Sequence, residues 1–487
     1  MPTATERPAE AATRTEKDTM GTMTVPANAL YGASTQRAVE NFPISGRPMP
    51  PGILHAYGHL KAACAKVNLE LGRLNEARAN AIIKAATEIG IGQHHQHFPI
   101  DVFQTGSGTS TNMNANEVIA NLICIANGAP IGSSKDPNYI GDPKTGKGVH
   151  PNDHVNLGQS SNDTFPTAMR LAAAYDIHRH LLPCIEAMET ELVAKAKAWD
   201  DIVKIGRTHL QDATPIRLGQ EFAGYAQQLR HAEQRAQHAL DALLELPIGG
   251  TAVGTGINTH PEFGKRVCQK LTEAFGIPFR EAADHCEAQH TQDALVEASG
   301  HLRTIAISLS KIACDIRLMG CGPRCGIGEL KLPETQPGSS IMPGKVNPVM
   351  VEMACMVCCR VIGNDATIGA ANLGGIGSIL ELNVAMPVMA EAMLDSIRLV
   401  AQAAKVFTER CLKGLEPDRE RCAALIEGSL AMCTSLVPAI GYDKSAAIAK
   451  TAFAQGKTVR EVAREQKVLS DSDLDKLLDP RSMTHAS

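Results

Sequence analysis

Between Arg217 and Leu246 the apolar positions Phe222, Tyr225, Leu229, Ala232, Ala236, Leu240 and Leu243 recur at three- and four-residue steps, with polar residues between them. That spacing keeps one helical face apolar for about eight turns and predicts a long bundle helix. Similar stretches run from Thr167 to Trp199, from Thr291 to Met319 and from Asn347 to about Ala371, each set off by a short Gly- or Pro-bearing connection. Helices of this length exceed the globular average and point to an extended all-α bundle. Pro183 interrupts the second stretch, where it should kink the helix or end a turn. The segment from Gly128 to Gly148 is dense in Gly, Pro, Asp and Ser. It reads as an exposed loop insertion that cannot propagate a helix.

Aromatic residues make up 3% of the 487-residue chain, and Ala, Leu, Glu, Gln and Arg fill the long stretches without strand-like alternation. This favours helices over sheets. The expected organisation is a disordered tail over 1–17, an N-terminal domain over 18–159, a central helical-bundle domain over 160–413 and a small C-terminal helical domain over 414–487. Lysine and arginine number 47 against 52 acidic residues, a net charge of −5. No basic face is available to displace counterions from phosphates, so a nucleic-acid partner is not expected. Mean hydropathy is −0.10, and no apolar run approaches ~18 residues, so no membrane span is expected.

Residues Met1 to Lys17 interleave Glu6, Glu10 and Glu16 with Arg7, Arg14 and Lys17. They read as neither a secretory signal nor a transit peptide. The 14 cysteines are scattered from Cys64 to Cys433 through apolar helical contexts. A chain this large does not need disulfide staples, so reduced thiols and a cytoplasmic location are expected. Cys321-Gly-Pro-Arg-Cys325 and Cys355-Met-Val-Cys358-Cys359 lack a second ligand pair at zinc-ribbon spacing, so no metal is expected there. His94, His95 and His97 read as surface or capping histidines.

Four polar, glycine-bearing clusters interrupt the helical patterns. The first is Thr105-Gly-Ser-Gly-Thr-Ser-Thr-Asn-Met-Asn-Ala-Asn-Glu117, which includes Ser107 and Thr109. An anion-binding turn and a simple capped helix start both fit it. The second runs from His150 through Asn152 and Asp153 to Gln159-Ser-Ser-Asn-Asp163, with a helix expected to follow at Thr164 or Pro166. Asp163 suits a cap, but so many amides and hydroxyls exceed what capping needs. The third, Gly206-Arg-Thr-His-Leu-Gln-Asp212, places Thr208 and His209 between an apolar strand-like entry and the long helix. His209 reads there as a satisfied structural histidine or as an acid/base. The fourth, Pro337-Gly-Ser-Ser-Ile-Met-Pro-Gly-Lys-Val-Asn-Pro348, joins Ser339 to Lys345 and Asn347 at a helix start. A cation and an amide so placed form a ready carboxylate or oxyanion clamp. The stretch Gly249-Gly-Thr-Ala-Val-Gly-Thr-Gly256 fits neither phosphate-loop pattern and reads as a tight connection.

These strings, with Asp18-Thr-Met-Gly, Thr35-Gln-Arg-Ala-Val-Glu-Asn-Phe42, Gly322-Pro-Arg-Cys-Gly-Ile-Gly328 and Ile440-Gly-Tyr-Asp-Lys444, resemble the fumarase/aspartase superfamily and within it the class II fumarases. The resemblance covers nearly everything from Asp18 onward. It implies an all-α homotetramer with a shared central bundle and active sites built from three subunits. It also implies reversible anti addition of water to fumarate, giving L-malate in the tricarboxylic acid cycle through a carbanion, with no metal or organic cofactor.

The catalytic base of the family matches Ser339, and Ser340, Lys345 and Asn347 match its substrate-carboxylate contacts, with Lys345 among the catalytic set. Ser107, Thr109, Ser160, Ser161, Asn162 and Thr208 match its other binding positions. His209 matches the histidine that handles water, and Glu352 the residue that pairs with it. His150, Asn152 and Asp153 match a secondary dicarboxylate site. Two rivals are an aspartate ammonia-lyase, which resembles Gly-Arg-Thr-Gln-Leu-Gln-Asp where this chain has His209, and a non-catalytic scaffold of the same fold. The scaffold has no use for Ser339, Lys345, Asn347, Thr208 and His209 together.

Overall fold

The long apolar periods become helices close to their expected bounds: Leu218–Ala242, Asp293–Met319 and Val349–Ala371, joined by Met386–Phe407. The computed structural model describes residues 12–141 and 147–486. Among the described residues, strands occur as five two-stranded pieces, the longest being the hairpins Thr13–Asp18 with Gly21–Pro26 and Val203–Thr208 with Gln211–Arg217. The architecture is all-α with these small additions. No single helix among the described residues is long and apolar enough to cross a membrane.

The helix expected from Thr167 begins at Ser161 and runs to Asp176; a π-helical segment, Ile177–Leu181, then leads into Leu182–Ala198. The wide turn falls just before Pro183, which has no N–H for residue 179 and whose ring crowds that carbonyl.

The chain divides into two compact units. The first comprises Met1–Leu181, Ala236–Arg303 and Arg360–Leu399; the second comprises Leu182–Arg235, Thr304–Cys359 and Val400–Ser487. In the first, helices Pro51–Glu70 and Glu76–Gly90 pack so closely that a Cβ on Gly58 would stand 2.2 Å from the Gly90 nitrogen. In the second, Ile426, Leu436, Ile448, Val462, Leu474 and Leu478 form a core for the last helices.

Two expectations need correction. Part of the 1–17 tail is ordered: Thr13–Asp18 pairs with Gly21–Pro26, and Arg14 ties it down by donating to Glu16 and to the carbonyls of Pro26, Ala27 and Tyr31. Residues 1–11 lie outside the described residues. The Gly128–Gly148 insertion does hold helical turns, Ser133–Lys135 and Pro137–Ile140. Pro137 takes the first helical position, where its missing N–H costs nothing, and Asp136 caps the turn. Residues 142–146 of the insertion are outside the described set. The strand-like entry expected before Thr208 is present as the arm Val203–Thr208 of a hairpin, whose second arm, Gln211–Arg217, precedes the long helix, with Thr208 paired to Gln211.

Candidate active site

In the first unit, two helix N-termini and their hydroxyls converge. Helix Thr109–Ala126 begins after Gly108, which has φ +72 and would drive a Cβ to within 1.9 Å of the Phe165 ring. Only glycine fits that turn. The Thr109 hydroxyl lies 2.8 Å from Ser107 Oγ and 2.7 Å from Ser161 Oγ, so one hydroxyl chain joins both helix starts. Helix Ser161–Asp176 opens with a capping box: Ser160 Oγ accepts from the Asn162 N–H, and Asp163 accepts from the Ser160 N–H at 2.9 Å. The box explains why the helix starts before Thr164. Asn162 Nδ2 donates to the Ala252 carbonyl at 2.8 Å. Paired N-termini lined by hydroxyls are suited to an anion such as a carboxylate.

Asp163 does more than cap. Its second oxygen accepts from the N–H groups of Gly249 and Thr251 at 3.1 and 2.9 Å, so the glycine-rich stretch is a clamp on this helix start. Burial pushes the Asp163 carboxyl up to about 6 against those backbone donors. Beneath the same region lies Lys61, which the sequence reading missed. Its ammonium is fully buried and donates to Asn112 Oδ1, Asn156 Oδ1 and Gln159 Oε1 at 2.7, 2.9 and 2.9 Å. It thus links the helix after Thr109 to the segment before Ser160. The available signal was a lysine on the same face as Tyr57 and Cys64 of the helix Pro51–Glu70.

Burial lowers the Lys61 ammonium to about 7, whereas in the unfolded chain a lysine keeps its proton to about 10.4. Between those values the unfolded state binds more protons, so stability rises with pH across that window and is lost as pH falls back through 7. The expected result is that wild type gains stability relative to Lys61→Met by up to about 1.4 kcal/mol per pH unit between pH 7 and 9. Urea unfolding at several pH values reads this; a pH-independent difference would rule out a strongly depressed Lys61.

His150 caps the short helical segment Pro151–Val155, its Nδ1 accepting from the N–H groups of Asn152 and Asp153 at 3.3 and 3.1 Å. The Asp153 carboxylate is also 3.2 Å from that nitrogen, but a nitrogen that accepts two N–H bonds carries no proton to share. Burial holds His150 below the usual histidine range, in line with a neutral ring protonated on Nε2. Asn152 and Asp153 are exposed.

The second unit carries the other residues. In the loop Pro337–Pro348, Ser339 Oγ accepts from the N–H groups of Ile341 and Met342 at 3.3 and 3.0 Å. Lys345 Nζ donates to Asn347 Oδ1 at 2.7 Å, and Asn347 Nδ2 to the Gly338 carbonyl at 2.6 Å. A Cβ on Gly338 would stand 2.3 Å from the Lys345 carbonyl, which is why the loop can close on itself only with glycine there. Ser339, Met342 and Lys345 line an open cavity of about 490 Å³. Ser340 is exposed, as is Glu352 in the first turn of Val349–Ala371.

Thr208 and His209 stand exposed at the tip of the Val203–Arg217 hairpin, where His209 and Leu210 both have positive φ, 56 and 59. Non-glycine residues in that conformation store strain. Their anchor is the buried Glu329, whose two oxygens accept from Arg207 Nη1 at 2.9 Å while Lys204 Nζ lies 3.2 Å away. Among the described residues, no hydrogen bond or ion pair joins His209 to Glu352.

Other candidates fall away. His94 pairs with Glu88, His95 Nε2 lies 2.9 Å from His55 Nε2, and His97 accepts from the Leu30 N–H. These are structural contacts that link the turn to its neighbours. No group of three or more His, Cys, Asp or Glu side chains among the described residues is placed to hold a metal. A cavity of about 740 Å³ in the first unit, lined by Arg47, His55, Tyr175 and Arg360, contains none of the predicted site residues. Its arginines Arg47 and Arg360 are already paired with Glu391 and Asp395.

An all-α fold with two converging helix starts and a serine–lysine–asparagine loop belongs to the class of fumarase/aspartase-type lyases. The family model for lyases matches residues 21–363, and the fumarase C C-terminus model matches 432–485. The chain is 51% identical to a class II fumarate hydratase of Corynebacterium efficiens, over 97% of this chain and 96% of the relative. It is 48% identical to one of Neisseria meningitidis, over 97% and 99%. Among solved structures, a class II fumarase from Schistosoma mansoni aligns with TM-score 0.91 at 37% identity, covering 97% of this chain and 99% of that one. The chain belongs to the class II fumarate hydratase family, whose members are carbon–oxygen hydro-lyases.

Proposed function

We propose that this chain hydrates fumarate reversibly by anti addition of water, forming L-malate as a step of the tricarboxylic acid cycle, at sites completed by three subunits of a homotetramer. The observation that carries the reading is the Ser339 hydroxyl, held in an open loop with two backbone N–H groups aimed at its oxygen. Donors of that kind stabilise a developing alkoxide, the condition for serine to act as a base.

In the dehydration direction Ser339 removes the proton next to a carboxylate, and the carbanion's charge spreads into that carboxylate. Lys345, Asn347 and Ser340 bind it where this charge grows, so they bind the intermediate more tightly than the substrate. Ser107, Thr109, Ser160, Ser161, Asn162 and Thr208 hold the rest of the dicarboxylate. His209, paired with Glu352, handles the water on the opposite face. The exposure of Thr208, His209 and Glu352, with no contact joining His209 to Glu352 among the described residues, supports completion by neighbouring subunits.

These groups supply every proton and charge the reaction needs. His150, Asn152 and Asp153 form the secondary dicarboxylate site, where the His150 Nε2–H remains free of the capping role. Fourteen cysteines scattered through apolar helical contexts, in a chain large enough to fold without disulfide staples, support a reducing, cytoplasmic setting.

The test follows the ultraviolet absorbance of fumarate with purified protein, with and without ammonium. Loss of fumarate to L-malate without ammonium is expected. Loss that requires ammonium and yields aspartate would overturn the reading.

A further inference from the structure

The converging helix starts at Thr109 and Ser161 are both positive poles, each worth about half an elementary charge. Lys61 sets a full positive charge beneath them, completely buried. Its three N–H donors are all used, on Asn112 Oδ1, Asn156 Oδ1 and Gln159 Oε1. Asn112 lies in the first turn of helix Thr109–Ala126, and Gln159 immediately precedes Ser160. The ammonium is therefore tied to both starts without reaching the hydroxyls that line them.

All three acceptors are neutral amides. Tyr57 and Cys64, which share its helix face, are held protonated by burial and supply no negative charge. Asp163 is a buried acid whose charge favours the ammonium, but its oxygens already accept from the N–H groups of Ser160, Gly249 and Thr251. Among the described residues, no ion pair joins it to Lys61. A buried charge with no counter-ion in contact is costly, and away from water it is felt further than a surface lysine's would be. A bound anion at the Ser107–Thr109–Ser161 hydroxyl chain would balance it.

We propose that Lys61 is a positioning residue whose unpaired charge draws one substrate carboxylate onto the Ser107–Thr109–Ser161 hydroxyls and so sets the affinity for dicarboxylates. This role rests on the hydration reading and deepens it. The carboxylate held here is not the one into which the carbanion's charge spreads, since that one is bound by Lys345 and Asn347. Lys61 thus acts equally on substrate and transition state, and an interaction of that kind appears in KM and leaves kcat nearly unchanged.

The test uses the assembled full-length protein, with succinate, a dicarboxylate that has no double bond to hydrate, as the calorimetric binding probe, and fumarate kinetics on the same preparations. Lys61→Met removes the charge and adds no other. Gln159→Glu keeps an acceptor for Lys61 but places a carboxylate against it, cancelling the charge while preserving the tie. Both variants are expected to weaken succinate binding and raise KM for fumarate by about 10- to 100-fold, the size of effect expected when one charged group's interactions are lost, with kcat falling by less than KM rises. Gln159→Glu should unfold no earlier than wild type on heating, because Lys61 gains a partner; a merely structural Lys61 would leave succinate affinity intact in that variant. Should Lys61→Met fail to fold, Gln159→Glu decides alone. Unchanged succinate affinity in either folded variant would overturn the proposal, as would a fall in kcat larger than the rise in KM. Wild-type protein that turns over no fumarate would instead sink the hydration reading, before any variant is compared.

Discussion

Replacing Ser339 by alanine is expected to lower kcat for fumarate hydration by about 10³-fold, within the range general-base catalysis supplies, while thermal stability and oligomeric state stay as in wild type. The hydroxyl receives the N–H groups of Ile341 and Met342 at 3.3 and 3.0 Å, in a loop whose residues 340–346 are exposed. Removing it leaves two N–H groups that water reaches, so the folding cost is expected to stay within about 0.5 kcal/mol. What is lost is the hydroxyl whose oxygen two backbone N–H groups can stabilise as it accepts a carbon-bound proton. Lys345 is occupied by Asn347 and carries charge of the wrong sign for a base. Steady-state kinetics in both directions, with size-exclusion chromatography on the same preparation, separates chemistry from assembly. Wild-type turnover in the variant would end the assignment of Ser339 as the base.

The largest stability effect is expected at Glu329, which touches no predicted substrate position. Its carboxylate is fully buried between Arg207 and Lys204. Lys204, itself 1% exposed, also has Glu221 Oε2 at 3.2 Å. That second contact is an ion pair without a properly angled hydrogen bond, since Glu221 Oε2 has no hydrogen-bond partner. It is a poor substitute. Glu329→Ala leaves a buried ammonium and a guanidinium without their shared partner, and breaking a buried pair this way costs about 3–5 kcal/mol.

The same change frees the hairpin whose tip holds His209 and Leu210 at positive φ, so activity should fall in the protein that remains folded. Chemical denaturation of wild type, Glu329→Gln and Glu329→Ala checks this, with the isosteric glutamine expected to fall between the others. A loss below about 1 kcal/mol for alanine would place Glu329 among ordinary surface pairs.

The helices were legible because their cause is local. An apolar residue every three or four positions is visible along Leu218–Ala242 without knowing what it packs against. The loop around Ser339 was legible for a related reason: Gly338, Gly344, Pro343 and Pro348 exclude regular structure, so Ser339, Lys345 and Asn347 in that stretch stand out as chemistry. The Ser160–Asp163 box lies within three residues, yet its helix was placed too late, since the polar run masked the start. The ordering of Thr13–Asp18 was hidden because Arg14 finds carbonyls at Pro26, Ala27 and Tyr31 only after the chain turns back.

Lys61 and Glu329 belong to a different category. Each depends on groups brought in from distant parts of the chain: Asn112, Asn156 and Gln159 around one ammonium, Lys204 and Arg207 around one carboxylate. Local composition sets helix periods, breakers and the inventory of reactive groups, because backbone preferences and amphipathic burial act over a few residues. Which groups are stripped of water and which charges find partners is settled only when separate segments pack, because desolvation and hydrogen bonding depend on neighbours that sequence spacing does not specify.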